Sequence, residues 1–235
     1  MGAGRCGLRR QRGLTRAMAG DPILYTAELD LPPAAEHAFS DWYAARHAPD
    51  LYRAGFHTCT SYRAIEGGMT ILDLYEADSW DVFAGEAYRR IGERDAHAAP
   101  VLAARTDFTH TVYSHHPRAA TTPRAPLDAD WITLLRFGAS EAAESALLVW
   151  LDAEGAAMFA RHGAHQVRPL RRGRDHPTLP SRRAACALLV EWAEEPLPEA
   201  RNMAALPASL GLTPDQNFTG LRLYPWPDRA TLRAG

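Results

Sequence analysis

One order of elements occurs twice along this chain, and that recurrence limits the fold more than any other feature. Ile23 to Leu29 is an apolar run that reads as a strand, and Leu31-Pro32-Pro33 ends it and opens a helix. Ala34 to His47 predicts that helix, with Ala35, Ala38, Phe39, Trp42 and Tyr43 on one side, and Pro49 puts its end near Arg46 or His47. Gly55 to Ile65 and Met69 to Glu76 predict two strands joined by the turn signal Glu66-Gly67-Gly68. Asp78 or Ser79 caps a helix running toward Arg94, and Thr106 to Ser114 predicts a fourth strand. From His116 to Asp130, Pro117, Pro123 and Pro126 stand among Thr, Ala and Arg, which is linker composition. The order then returns: strand Trp131 to Phe137, helix Ser140 to His162, strands Gln166 to Leu170 and Ala184 to Trp192, a broken helix Leu197 to Leu210, and strand Asn217 to Tyr224.

A β-α-β-β-α-β unit forms a four-stranded antiparallel sheet with both helices on one face, the ferredoxin-like arrangement. Its bare face must be covered, and two such sheets close into a barrel of about eight strands. The expected fold is therefore α+β: two tandem ferredoxin-like βαββαβ repeats forming an α+β barrel within one chain. The repeats span 20–117 and 130–228, with 118–129 as linker. Residues 1–19, rich in Arg and Gly, are expected to be a disordered arm or to precede a true start at Met18. A local match supports duplication: Asp107-Phe108-Thr109 through Pro117 lies 110 residues before Asn217-Phe218-Thr219 through Pro227. Two unrelated α+β domains are the other reading.

Composition removes whole classes of chemistry. All 26 basic residues are arginine, so Schiff-base, pyridoxal-phosphate and P-loop lysine mechanisms are excluded. The net charge of −2 gives no field for nucleic acid or an anionic membrane, and no run approaches the ~20 apolar residues that span a bilayer. Three cysteines without a C-x-x-C pair argue for a reducing, cytoplasmic setting and against a thiolate zinc site. No Gly-rich loop follows a strand and opens a helix, so nucleotide cofactors have no support. His115-His116 chelates poorly because strand neighbours point to opposite faces, and no metal is expected.

The stretch Phe39-Ser40-Asp41-Trp42-Tyr43-Ala44-Ala45-Arg46-His47-Ala48-Pro49-Asp50-Leu51, followed by Gly55-Phe56 and Ser61-Tyr62-Arg63, resembles the dimeric α+β barrel superfamily, and within it the EthD-like proteins. Their first helix carries Trp/Tyr-x3-His-x-Pro, and a Gly-hydrophobic pair opens the next strand. The superfamily includes cofactor-independent oxygenases of aromatic polyketides, small isomerases and dehydratases, and haem enzymes. The resemblance implies a small cofactor-independent enzyme of secondary metabolism, of oxygenase, dehydratase, cyclase or isomerase type. Its ligand would be hydrophobic, aromatic or polyketide-like, and held in the barrel of a monomer or homodimer. A non-catalytic binding or structural barrel is the alternative. The second half keeps His162 near its helix end but lacks the Pro-Asp, which favours a site in the first half.

Two residues stand out as catalytic. His47, at an expected helix C-terminus with an ordinary pKa near ~6.5, suits proton transfer; capping the helix is its other reading. Asp73 interrupts Ile71-Leu72-Asp73-Leu74-Tyr75. If Leu72 and Leu74 meet the helices, Asp73 and Tyr75 face the barrel interior, where Thr26 and Glu28 join them and the two carboxyls shift apart in pKa; a wet sheet face is the alternative. Tyr75, Glu28, Tyr62, Arg63, His110 and Tyr113 are the candidate substrate contacts. The seven arginines between Arg161 and Arg183 make either an anion site or a solvated loop.

Overall fold

The computed structural model describes residues 21–91, 98–119 and 127–225. The expected arm before residue 20, the end of the helix toward Arg94 and most of the linker lie outside them. Strands β1 (Ile23–Asp30), β2 (Thr58–Gly67), β3 (Ile71–Ala77) and β4 (Asp107–His115) pair in the order β4-β1-β3-β2. Strands β5 (Trp131–Gly138), β6 (Ala164–Arg172), β7 (Cys186–Trp192) and β9 (Phe218–Tyr224) pair in the order β6-β7-β5-β9. Antiparallel seams between β2 and β9 and between β4 and β6 join the two arcs, so eight strands close into one barrel. A two-residue strand β8 (Thr213–Pro214) pairs outside β5.

Helices cover the outer face of each arc. Over the first run α1 (Pro33–Trp42), a π-turn (Tyr43–His47) and α2 (Ala48–Ala54), then a 3₁₀ turn (Trp80–Ala84), α3 (Glu86–Arg89) and α4 (Ala98–Ala103). Over the second run α5 (Glu141–Trp150), a second π-turn (Leu151–Gly155) and α6 (Ala156–Arg161). Ser140 caps α5 as expected, its hydroxyl accepting from Ala143 N–H at 3.2 Å. The broken helix expected over Leu197 to Leu210 is instead three separate 3₁₀ turns: Pro198 opens the first, Asn202 caps the second through its side chain, and Pro207 precedes the third.

The first helix does not stop at His47. Its π-turn makes the i→i−5 bond from Ala48 N–H to Tyr43 O, and this wider turn takes in Pro49, whose ring would crowd a regular α-turn. The chain stays helical to Ala54 and ends on Gly55 at φ +110°, a left-handed cap that glycine adopts without strain. His47 therefore lies mid-helix, and the dipole argument made for it falls away.

Alternation along the strands divides the side chains. Leu24, Leu72, Leu74, Tyr62, Tyr113 and Phe218 belong to the cluster inside the barrel. Tyr25, Leu29, Ile71 and Tyr75 pack outward under the first set of helices. Two ion clusters also lie inside. Glu28 meets Arg136 at 2.8 Å and Arg183 at 2.9 Å, and Arg168 bridges Glu76 and Glu191. An eight-stranded barrel is about wide enough for side chains to fill, and here they fill it. A ligand held in the barrel, as expected from sequence, is displaced by these residues. The 110-residue match also fails in detail: Phe108 packs on the outer core and Phe218 inside, because a one-residue slip reverses every side chain.

The two π-turns give the halves different contents. An i→i+5 turn brings residues five apart into line, so the Trp42 ring stacks on His47 at 4.6 Å and 23°. In the second half Trp150 lies five residues before Gly155, and a Cβ built there would stand 2.7 Å from the Trp150 ring. Trp150 fills the space, and Phe159 and Trp192 pack beside it. Gly155→Ala is expected to destabilise the protein by about 1–3 kcal/mol through overpacking, read from the urea midpoint at unchanged m-value.

Candidate functional site

Between the outer face of the β4-β1-β3-β2 arc and its helices lies a cavity of about 500 Å³. That is within the range of small-molecule sites, roughly 300–1,000 Å³. Its floor is set by strand register. Asp73 on β3, Ala27 on β1 and His110 on β4 lie abreast, and Tyr75 and Tyr25 form the next row. Trp42 and His47 reach in from the first helix.

Asp73 is 2% exposed, and its Oδ1 has no hydrogen-bond partner. Burial pushes its pKa from 3.8 up to about 7, and the nearby Ser61 and Tyr75 hydroxyls offset only part of that rise. A carboxyl so placed exchanges a proton near neutral pH. Burial also raises the Tyr75, Tyr43 and Tyr25 phenols well above their usual range, so they stay neutral donors.

The roof comes from the far half of the chain. Residues 173–185, between β6 and β7, cross onto the first half. Trp80 Nε1 donates to the Asp175 carbonyl at 3.0 Å, and the Arg174 guanidinium sits 3.3 Å from the Trp80 ring centroid. Ser181 and Thr111 hydroxyls meet at 2.7 Å. This strap inserts His176 between Tyr25, stacked at 5.3 Å, and Phe83, edge-on at 5.1 Å. Thr178 N–H donates to His176 Nδ1 at 3.3 Å, which leaves the ring proton on Nε2, 2.8 Å from the Tyr88 hydroxyl. Burial lowers His176 to about 4. Burial first, then the charges of His176, Arg105 and His47, lowers His110 to about 3, with the Tyr25 hydroxyl 2.7 Å from its Nδ1. Both rings are neutral at pH 7.

The structure brings His47, Asp73, Tyr75 and His110 together around this cavity. Asp73 and Tyr75 do so from the opposite face to the one expected: Leu72 and Leu74 point into the barrel, so their neighbours point to the helices. Glu28 does point inward, and so shares no site with Asp73. Tyr62 and Tyr113 lie inside the barrel, Tyr62 donating to the Ala129 carbonyl at 2.9 Å. Arg63 stands at the surface, paired with Glu36 at 2.9 Å. His162 follows α6 and is exposed; by π-turn position the counterpart of His47 is Gly155. Sequence reasoning missed Tyr25, Trp42, Tyr88, Arg105 and His176 as cavity residues. The arginines from 161 to 183 are in large part paired rather than free: Arg168, Arg171, Arg182 and Arg183 each meet a carboxylate. Among the described residues no group of three or more side chains is set to hold a metal, and no helix is long and apolar enough to cross a membrane.

No protein-family model matches the sequence, and no curated protein does. Solved structures do match in shape. A protein described as anthrone oxidase-like is 13% identical, with a TM-score of 0.54 over 87% of this chain and 91% of its own. Two proteins each called a "putative monooxygenase" match as well. The one from Lactobacillus acidophilus is 11% identical, with a TM-score of 0.52 over 86% of this chain and 94% of its own. The one from Fusobacterium nucleatum is 8% identical, with a TM-score of 0.56 over 88% and 94%. At these identities the likeness is one of fold: this chain is a mixed α+β protein built around a closed antiparallel barrel of eight strands.

Proposed function

We propose that the chain is a tandem of two ferredoxin-like βαββαβ units, and that the first unit is a cofactor-independent enzyme acting on a hydrophobic aromatic or polyketide-like molecule. The tandem reading is supported by strand order, which is 4-1-3-2 in both arcs when each is numbered from its own first strand. It is also supported by β1, α1 and the first π-turn, each of which starts 108 residues before β5, α5 and the second π-turn.

The observation that carries the enzymatic reading is the Asp73 carboxyl, buried at the floor of an apolar cavity with one oxygen unpartnered and a pKa near 7. In that setting it removes a proton from a phenol-activated carbon, and the electron pair left behind is delocalised over the ring. His47, stacked on Trp42 at the cavity wall, positions the ligand and returns or relays the proton; Tyr75 orients it by hydrogen bonding. The same carbanion is reprotonated elsewhere in an isomerase, expels a β-hydroxyl as water in a dehydratase, or attacks an internal carbonyl in a cyclase. In an oxygenase it reduces dioxygen, the oxidant, forming a C–O bond; the protonated hydroperoxide then breaks its O–O bond and loses water, taking the carbon's remaining hydrogen as a proton, to leave a carbonyl. The oxygenase branch is supported by the names of the structural neighbours.

Native mass spectrometry and an absorption spectrum of protein purified from its own host test the reading together. The expected result is a colourless protein with a small aromatic adduct, lost in Ala27→Phe, which fills the cavity floor. A Soret or flavin band overturns cofactor independence. Turnover of the identified ligand that survives both His47→Ala and Asp73→Ala makes the chain a binding barrel instead.

A further inference from the structure

We propose that the ligand carries an acidic group on a fused aromatic frame, and that Arg105 holds this group while the far end of the frame lies on Asp73. The inference rests on the cavity being an aromatic-ligand site, and it names what distinguishes that ligand.

Arg105 lines the cavity and is half-buried. Its Nε donates to the Leu102 carbonyl at 3.0 Å, and its guanidinium lies 4.3 Å from the Phe108 ring centroid. Among the described residues it meets no carboxylate, whereas Arg136, Arg168 and Arg183, also withdrawn from solvent, each pair with Glu. Burial lowers its pKa, the mark of a cation partly stripped of water without an anion in exchange. The Phe108 ring and the Leu102 carbonyl hold the guanidinium in place, and among the described residues NH1 and NH2 meet no partner, which leaves the end of the fork that binds a carboxylate by two parallel bonds. Arg89 lines the same cavity. Of the acids among the described cavity residues, Asp50 is engaged by Arg53, and Asp73 is half-protonated near pH 7. Among the described residues, positive charge at this end is therefore uncompensated by the cavity's walls.

Register gives the span. Asp73, Ala27 and His110 lie abreast on three strands, and Phe108 is two residues along from His110. With strands about 4.8 Å apart and about 3.4 Å per residue, Phe108 and Asp73 are separated by about 12 Å at Cα. A ligand bridging Arg105 and Asp73 must cover most of that distance. A fused two- or three-ring frame with an acid at one end does so, and the lining includes Leu29, Trp42 and, in the row beyond Asp73, Tyr25, which suit flat rings.

The test is calorimetric titration of the full chain with 2-naphthoate and with 2-naphthamide, which is equal in shape and uncharged. Wild type is expected to bind the acid about tenfold or more tightly than the amide, with the preference shrinking as salt rises. Arg105→Gln should equalise the two, and Arg105→Lys should restore part of the preference, which separates charge from any disturbance of packing. Equal binding of acid and amide by wild type, or a preference unchanged in Arg105→Gln, overturns the acidic-group assignment while leaving an aromatic site standing. Binding of neither probe overturns both.

Discussion

Asp73→Asn is expected to cut turnover of the bound ligand by about 10²–10⁴-fold and, at the same time, to make the protein more stable at pH 8. The two effects share one cause. Desolvation raises the Asp73 pKa from 3.8 to about 7, so between those values the folded chain binds a proton that the unfolded chain does not. Stability contributed by this group is therefore present in acid and falls as pH rises from about 4 to about 7. The gap is worth about 4 kcal/mol at 1.36 kcal/mol per tenfold change in proton affinity. Asn takes the same space without the charge and removes that slope. His110 and His176 act in the opposite sense. Their pKa values are lowered to about 3 and about 4, so they cost stability as pH falls below their unfolded value near 6.5. Only the difference between wild type and Asp73→Asn, measured by urea denaturation from pH 4 to 8, isolates the carboxyl. A flat difference would show that Asp73 titrates as an ordinary carboxylate, and would remove the proposed base.

Glu28→Gln is expected to produce the largest loss of stability, about 3–5 kcal/mol. Glu28 is buried inside the barrel, where it neutralises Arg136, itself 0% exposed, and receives Arg183 at 3.0 and 2.9 Å. Truncating the one carboxylate leaves two guanidinium groups facing each other in a packed interior. The expected readout is a lower urea midpoint, with the loss reduced in Glu28→Gln, Arg136→Met, where the uncompensated charge is removed too. A double variant no more stable than the single one would contradict this account. Because Arg183 anchors the end of the 173–185 strap, the single variant should also loosen the cavity roof, seen as faster amide exchange around His176.

Much of the architecture was legible because it rests on local patterns. The strands from Ile23 and from Trp131 lie where their apolar runs put them, and Ser140 caps the helix it was expected to cap. What escaped were facts of phase and of distance. The run Leu72-Asp73-Leu74 fixes that Asp73 opposes its neighbours, but not which face the helices take; that is decided by closure of the barrel around Leu72 and Leu74. Pro49 read as a helix end because a regular turn excludes it, and the π-turn that accommodates it has no simple sequence mark. Half of the proposed site could be named from residues near His47 and Asp73. The other half could not, since His176 reaches Tyr25 from 151 residues away and its neighbouring arginines read as solvated.

Gly155 and His47 hold equivalent places in two π-turns and do opposite things: one admits a tryptophan ring, the other presents an imidazole to a cavity. In a barrel assembled from two identical subunits, every substitution appears on both sides at once, so a change that suits one side is imposed on the other. Here the sides are covalently joined and free to diverge. On one side Trp150 takes the place where the other keeps an imidazole at its cavity, and that same side lends residues 173–185 to roof the other. A loop such as 173–185 can then specialise as a cover because it has no twin that must fit the same role.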